Sequence, residues 1–135
     1  TWESWNAIDV NQSLSHPWGA VGLLAIQNYI LGIKSLAPQN EKMQIKPLYF
    51  GDKLDFAKGS YATDKGAIVV EWNKNKNSYS LVVNIPDNIT AKVYIPKCDK
   101  DGTLLSFDNK KINGIEEGNY IYLDNIGSGI HTFER

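Results

Sequence analysis

The chain contains 135 residues with a mass of 15.1 kDa, a length that allows one domain, or one domain with part of a neighbour, and excludes two large cores. Apolar residues make up 42% of the chain and aromatic residues 11%, which is enough to fill one core and excludes a chain that is disordered throughout. With 14 basic and 15 acidic residues the formal net charge is -1, which argues against nucleic acid or an anionic membrane surface as a partner.

Simple counts disfavour several further kinds of site. The most apolar stretch, residues 21–31, is interrupted by glycine, glutamine and asparagine, so no segment is predicted to span a bilayer. The single cysteine, Cys98, lies in a polar loop and is interpreted as an incidental residue, and His131 is interpreted as a partly exposed strand residue. No HExxH or CxxC spacing occurs, so the sequence predicts no metal site and no cofactor.

Residues 1–36 are predicted to form a helical segment that differs from the rest of the chain. In "SHPWGAVGLLAIQNYILGIKS", Ser15 is a candidate N-cap, Pro17 fits the first turn and Gly32 fits the C′ position. Apolar residues surround this helix almost completely, which is typical of a helix buried on several sides. The rest of the chain has a different pattern and does not supply obvious partners, so the segment is interpreted as part of a larger helical domain.

Residues 40–135 are predicted to form an antiparallel β-sandwich, separated from the helix by a linker that contains Pro38. Alternate residues from Tyr79 to Ile85 are apolar and those between them are mostly polar, as in a sheet with one solvent-exposed face. Similar short runs, bounded by Gly, Asn, Asp or Pro, are "GAIVVEW", "SYSLVVNIP", "TAKVYIP", "NYIYLDN" and "GIHTFER". The predicted fold class is therefore mainly β: an antiparallel sandwich preceded by one buried helix.

Glu3 and His16 are the residues for which the sequence suggests chemistry. Glu3 lies between Trp2 and Trp5, and indole rings can desolvate a carboxylate, raise its pKa toward the range of general acid–base catalysis and provide platforms for sugars. His16 precedes the proline that begins the helix, where a neutral imidazole can exchange hydrogen bonds with a polar ligand. On the residues alone, a solvated glutamate and simple helix capping by Ser15 and His16 remain open alternatives.

The order of several motifs resembles the C-terminal end of the α-L-rhamnosidases of glycoside hydrolase family 78. The matching stretches are "TWESW", "SLSHPWGA", "YILGIKSLAP" and "LDFAKGSYATDKGAIVVEW", and the closing "GSGIHTFE" is similar to the family's last strand. The sandwich of this family opens with a spaced pattern of small, apolar and aromatic residues. In this chain the pattern reads Gly59, Tyr61, Thr63, Gly66, Ile68, Val70 and Trp72.

The resemblance implies that residues 1–36 are the last segment of an (α/α)6 catalytic barrel and that residues 40–135 are a C-terminal accessory sandwich. It places Glu3 at the position of the general base of an inverting hydrolysis and His16 at that of a histidine that contacts the rhamnose. Trp2 and Trp5 flank the base and are expected to shape the site. The spacing from Glu3 to His16 is shorter than in many members of the family.

The function that the resemblance implies is removal of terminal α-L-rhamnose from glycans or glycosides. Inverting glycosidases use two carboxyl groups roughly 6.5–9.5 Å apart, and only one can be assigned to this chain. The expected partners are a rhamnose-containing carbohydrate and the missing N-terminal part of the same enzyme, which would supply the general acid. The isolated chain is therefore expected to be inactive. Its apolar helix is expected to cause self-association. The resemblance also implies a secreted or periplasmic location.

Two other hypotheses remain open for the sandwich. One is a carbohydrate-binding module, since aromatic side chains are available along its strands. The other is a purely structural accessory domain that covers one side of the barrel. The aromatic residues in question are Trp72, Tyr79, Tyr94, Tyr120 and Tyr122. Most of them alternate into the apolar face of a strand, which favours core packing over ligand binding.

Overall fold

The structure, a computed structural model, describes residues 15–49, 53–76, 78–98 and 100–135 of the chain. Its first element is a helical run over residues 17–30, which we call the helical segment. The segment begins with a 3-10 turn at Pro17–Ala20, continues as an α-helix at Val21–Ala25 (α1) and ends with a π-helical turn at Ile26–Ile30.

The ends of the helical segment follow two of the three predicted signals. Pro17 occupies the first helical position, where its missing N–H costs no hydrogen bond. Gly32, with φ of +72°, directly follows the C-cap Leu31 and ends the helix in a left-handed conformation. The prediction of Ser15 as the N-cap is wrong by one residue. His16 takes this position in an extended conformation, because a residue that precedes proline is held out of the helical region.

Eleven strands follow within the described residues. They are β1 (Ile33–Ser35), β2 (Lys42–Ile45), β3 (Phe56–Thr63), β4 (Gly66–Asn75), β5 (Ser78–Ile85), β6 (Thr90–Pro96), β7 (Leu104–Phe107), β8 (Lys110–Asn113), β9 (Ile115–Glu117), β10 (Tyr120–Ile126) and β11 (Gly129–Glu134). The five strand-like runs found in the sequence correspond to β4, β5, β6, β10 and β11. A short 3-10 turn at Pro38–Asn40 separates β1 from β2.

The strands form two sheets that pack together as a sandwich. The first sheet has the order β1-β2-β6-β10-β9 and the second has the order β3-β4-β5-β11-β7-β8. Among the described strands, neighbours are antiparallel except β2 and β6, which run parallel with Met43 opposite Ala91. Buried side chains of both sheets form one core. The predicted mainly β fold, an antiparallel sandwich preceded by one helix, is confirmed.

The alternation seen in the sequence determines which side chains enter the core. On β5, Leu81, Val83 and Ile85 are buried between the sheets, and the residues between them lie on the outer face. On β11, the fully buried Phe133 lies opposite Leu81. Strands that are distant in the sequence, such as β5 and β11, therefore contribute inward-facing residues to the same core.

Within this chain the helical segment is not buried, and its burial by a larger helical domain remains a prediction. None of its residues is buried, and six large apolar side chains on it are 47–68% exposed: Trp18, Val21, Leu23, Leu24, Ile26 and Tyr29. The reason is that the segment contacts the strands mainly through its π-helical turn, which lies against β1 and β3.

The division of the chain into residues 1–36 and 40–135 remains a prediction. Residues 1–14 lie outside the described part of the chain. The short strand β1, on the N-terminal side of the predicted linker, pairs with β2 in the first sheet, with Ile33 opposite Ile45.

Candidate functional site

Three of the four predicted site residues, Trp2, Glu3 and Trp5, lie outside the described residues, so their roles remain predictions. The fourth, His16, stands at the N-cap of the helical segment. The described residues therefore include the helix start that carries His16, but not the predicted general base Glu3.

His16 is half-buried, and its ring contacts an aromatic neighbour. The centroids of the His16 and Trp18 rings are 4.1 Å apart, and their planes are inclined by 42°. The carbonyl of His16 accepts a hydrogen bond from the backbone N–H of Gly19 at 3.2 Å, which fixes the backbone at the start of the helix. Because the indole of Trp18 is exposed, the pair offers an aromatic surface of the kind that contacts sugars. Sequence reasoning missed Trp18, since one more aromatic residue in an apolar helix gives no distinct signal.

The helical segment is attached to the sandwich at its last turn. The buried indole of Trp72, on β4, donates a hydrogen bond through Nε1 to the carbonyl of Ile30 at 2.8 Å. The backbone N–H of Leu48 donates to the carbonyl of Tyr29, also at 2.8 Å. The last carbonyls of a helix have no partner within it, so these donors satisfy groups that the helix itself leaves open. The sandwich therefore sets the position of the helical segment.

Two glycines allow a close approach at this junction. A Cβ on Gly59 of β3 would lie 2.5 Å from Cδ1 of Leu31, so the missing side chain makes room for Leu31 in the core. A Cβ on Gly32 would overlap the backbone of Lys46 and Pro47. The N–H of Lys46 donates to the carbonyl of Gly32 at 2.8 Å and holds these two backbones together.

The other residues of the spaced pattern shape the hairpin between β3 and β4. The hydroxyl of Thr63 donates to the carbonyl of Gly66 at 2.6 Å and accepts from the N–H of Lys65 at 3.1 Å, while Gly66 adopts a φ of +126°. Ile68 and Val70 are buried in the core. The pattern that carries the family resemblance is thus structural: it forms a hairpin and fastens the helix.

The aromatic residues of the sandwich divide into two groups. Trp72 and Tyr79 stack in the core with ring centroids 6.0 Å apart, as expected. Tyr94, Tyr120 and Tyr122 instead lie on the outer face of the first sheet, where the centroid of Tyr94 is 6.1 Å from that of Tyr120 and 5.3 Å from that of Tyr122. Alternation did not distinguish the two faces here, because β6 and β10 are apolar or aromatic at consecutive positions.

Lysine side chains cover the rings of this outer tyrosine cluster. The Nζ of Lys46 lies 4.2 Å from the centroid of Tyr94, and the Nζ of Lys92 lies 3.7 Å from that of Tyr122. Glu117, on β9, pairs with Lys46 at 3.2 Å and with Lys92 at 3.3 Å, and it accepts a hydrogen bond from the Tyr94 hydroxyl at 3.1 Å. Cation–π contacts and ion pairs therefore occupy ring faces that a sugar would need for stacking.

The same contacts predict a pH dependence of stability. The hydrogen bond from Lys46 lowers the pKa of Glu117 below its ordinary value of 4.5, with further hydrogen bonds from Tyr94 and Lys92. A lowered carboxyl pKa adds stability above pH 4.5, and this stability is lost as the pH falls through the lowered folded-state value. We therefore expect Glu117→Gln to lower the urea midpoint at pH 7, and we expect this difference to shrink as the pH falls below 4.5. A difference that stays the same as the pH falls would contradict this role of the charge.

The other residues with reactive side chains, His131 and Cys98, belong to the sandwich and not to the helical segment. His131 is a partly exposed strand residue, as predicted, with Nδ1 2.9 Å from Oδ2 of Asp108 and Nε2 3.2 Å from the carbonyl oxygen of Gly127. Cys98 is half-buried in the loop after β6. Within the described ranges, no group of three His, Cys, Asp or Glu residues is placed to hold a metal ion. The helices described there are all too short to cross a membrane.

Sequence comparison finds relatives for most of the chain. The profile of a family described as the bacterial alpha-L-rhamnosidase C-terminal domain matches residues 32–105. An alpha-L-rhamnosidase from Alteromonas sp. (strain LOR) is 30% identical over 132 residues, which cover 89% of this chain and 14% of the relative. An alpha-L-rhamnosidase from Streptomyces avermitilis is 25% identical over 141 residues, covering 98% of this chain and 13% of the relative. The chain thus spans a small fraction of the length of these relatives.

Solved structures give the same result for the fold. The structure of alpha-L-rhamnosidase from Dictyoglumus thermophilum matches 87% of this chain and 13% of its own, with a TM-score of 0.77 and 26% identity. The structure of Streptomyces avermitilis alpha-L-rhamnosidase complexed with L-rhamnose matches 99% of this chain and 13% of its own, with a TM-score of 0.75 and 23% identity. In both, the fold described above is one part of a much longer protein.

Proposed function

This chain belongs to the bacterial α-L-rhamnosidase C-terminal domain family, and on that basis we propose that it is the C-terminal part of a glycoside hydrolase that removes terminal α-L-rhamnose from glycans or glycosides. The observation that carries the proposal is the helical segment. It is fastened to the sandwich at its last turn, yet it exposes large apolar side chains along its length. A helix of this kind suits the last element of a helical barrel whose other helices lie elsewhere in the parent enzyme.

The proposed mechanism is inverting hydrolysis. Glu3 acts as general base and takes a proton from water as the water oxygen attacks the anomeric carbon. A carboxylic acid from the rest of the parent donates a proton to the leaving oxygen, so that the glycosidic bond breaks with inversion. His16 contacts the rhamnose, and Trp2 and Trp5 shape the pocket around the base.

The proposal also concerns the state of the isolated chain. Without the general acid it has one carboxyl group of the required pair, so we expect it to hydrolyse nothing. In the parent enzyme, the N-terminal part would cover the exposed helical segment. In the isolated chain, we expect a second copy to cover it instead. A secreted or periplasmic location fits an enzyme that acts on glycans outside the cell.

The competing hypothesis of a sugar-binding platform on the outer tyrosines has less support. Ammonium groups of Lys46 and Lys92 lie over the rings of Tyr94 and Tyr122, so a sugar would have to displace a cation to stack there. The structural role of the sandwich has more support, because Trp72 and Gly59 hold the helical segment in place.

The test is hydrolysis of an aryl α-L-rhamnoside by the full-length parent carrying Glu3→Gln. We expect kcat to fall by about three orders of magnitude, because general base catalysis contributes on that scale. Added azide should restore part of the turnover, since it attacks the anomeric carbon without needing a base and yields a rhamnosyl azide.

The matched control is Glu41→Gln, the same chemical change at an exposed position next to the 3-10 turn that precedes β2. It should leave kcat unchanged. Retained turnover in Glu3→Gln would remove Glu3 from the mechanism, and measurable turnover by the isolated 135-residue chain would contradict the assignment of the acid to the rest of the parent.

A further inference from the structure

The outer face of the second sheet contains a cleft with a row of polar side chains. The cleft has a volume of about 710 Å³, which lies in the range of small-molecule sites. Four of its lining residues are directly opposite one another on adjacent strands: Ser80 on β5, Glu134 on β11, Ser106 on β7 and Lys111 on β8. Opposite residues on neighbouring strands share a face, so these groups form one row across the sheet.

In the described part of the chain, the polar side chains of this row have no bonded partner. Among the described residues, the side chains of Ser80, Ser106, Lys111 and Glu134 form no hydrogen bond and no ion pair. Lys111 and Glu134 belong to strands two places apart, a separation of about 10 Å at the backbone. The row therefore presents separated donors and acceptors, and its two charges balance.

The rim of the cleft is held by the side chain of Arg135. Its Nη2 donates to the carbonyls of Lys100, Asp101 and Gly102 at 2.8, 3.1 and 3.0 Å, and its Nη1 donates to the carbonyl of Leu104 at 2.9 Å. These bonds join residues 100–102 and Leu104 to the end of β11. A ligand would meet a rim that is already ordered and would lose little affinity to ordering it.

We propose that this cleft, which His16 does not line, binds an uncharged saccharide. A sugar hydroxyl both donates and accepts, so a set of hydroxyls can pair with the carboxylate of Glu134 and the ammonium of Lys111 together. A ligand with a single charge would be attracted by one of these two groups and repelled by the other, so neither an anion nor a cation gains from both. Leu104, with 52% of its side chain exposed, gives the C–H face of the sugar an apolar contact.

The test is an NMR titration of the 15N-labelled chain with L-rhamnose, D-glucose and cellobiose. We expect saturable shift changes at the amides of Ser80, Ser106 and Glu134 with at least one of these sugars. Glu134→Gln and Lys111→Ala should each raise Kd about tenfold, because each removes a charge-assisted hydrogen bond.

Lys110→Ala is the matched control. Lys110 adjoins Lys111 on β8, but it pairs with Phe107, faces the other side of the strand and does not line the cleft. This variant should leave Kd unchanged.

Three results would overturn the proposal. The first is the absence of saturable shifts with all three sugars, and the second is an equal loss of affinity in Lys110→Ala and Lys111→Ala. The third is tighter binding of a zwitterion such as glycine, which would assign the cleft to a different class of ligand. None of these results bears on the hydrolase function, which is tested at Glu3 in the parent enzyme.

Discussion

Gly32→Ala is expected to lower the free energy of unfolding by about 4 kcal/mol or more. Gly32 has a φ of +72°, a conformation that costs alanine about 1–2 kcal/mol. The larger part of the loss arises because the new Cβ would overlap the backbone of Lys46 and Pro47. Backbone atoms cannot rotate away as a side chain can, so relief requires breaking the hydrogen bond from the Lys46 N–H to the Gly32 carbonyl.

Urea denaturation followed by circular dichroism would measure this loss. Gly22→Ala is the control, because a Cβ on Gly22 has no atom within 4 Å and the residue lies in α1. That variant should gain up to about 1 kcal/mol from helix propensity. If Gly32→Ala retained wild-type stability, the close packing of the helix end on Lys46 and Pro47, directly after β2, would be wrong.

Trp72→Phe is expected to destabilise the chain by about 3 kcal/mol and to loosen the helical segment. Trp72 is 3% exposed, and its indole N–H is the donor to the carbonyl of Ile30. Phenylalanine would keep an aromatic ring in the core, but it would leave a void and remove this donor. Since the bond joins the helix end to β4, its loss should lower the local stability of the helical segment more than that of the sheets.

Hydrogen exchange would separate the two effects, with faster exchange expected at the amides of residues 26–31 than in the core strands. Tyr79→Phe is the contrasting variant. The Tyr79 hydroxyl is buried with no hydrogen-bond partner in the described part of the chain, and its burial raises the pKa of Tyr79 well above 10.0, with further contributions from Cys98 and Tyr120. Removing it should be neutral or slightly stabilising. Unchanged exchange of residues 26–31 in Trp72→Phe would contradict the role of Trp72 as an anchor.

Alternation of apolar residues identified β4, β5, β6, β10 and β11. It missed β2, although Met43 and Ile45 are fully buried, and it missed β3, where another element fills the space. The inward positions of β3 include Ala57 and Gly59, which are too small to give a strand signal. The space beside Gly59 is filled by Leu31 from the end of the helical segment. No local pattern can show that a gap in one strand is filled by a residue 28 positions earlier in the chain.

One turn that contains no glycine was also missed. The hairpin between β7 and β8 turns at Asp108 and Asn109, whose φ values are +46° and +65°. Asp and Asn tolerate this conformation, but they occur in many other settings, so the sequence alone did not mark this turn.

The two candidate sites were predictable to different degrees. The motif that contains His16 was placed correctly at the beginning of a helix. The cleft beside Glu134 gave no signal, because Ser80, Ser106, Lys111 and Glu134 come together only through strand register. The predicted burial of the helical segment depends on surfaces of the parent enzyme, and the apolar pattern of the helix does not show where those surfaces lie.

The parallel pairing of β2 with β6 has a consequence for the order in which the chain folds. β3 pairs with β4 and β4 pairs with β5, so these three strands form a meander whose contacts close short loops, whereas Met43 must find Ala91 across the whole of that meander. Closing the longer loop costs more entropy and takes longer. During synthesis, β1 and β2 precede their partner β6, which begins at Thr90, and β9 and β10 of the same sheet follow only at residues 115–126. The helical segment, which rests on β1 and β3 together, is therefore expected to dock after both sheets have formed.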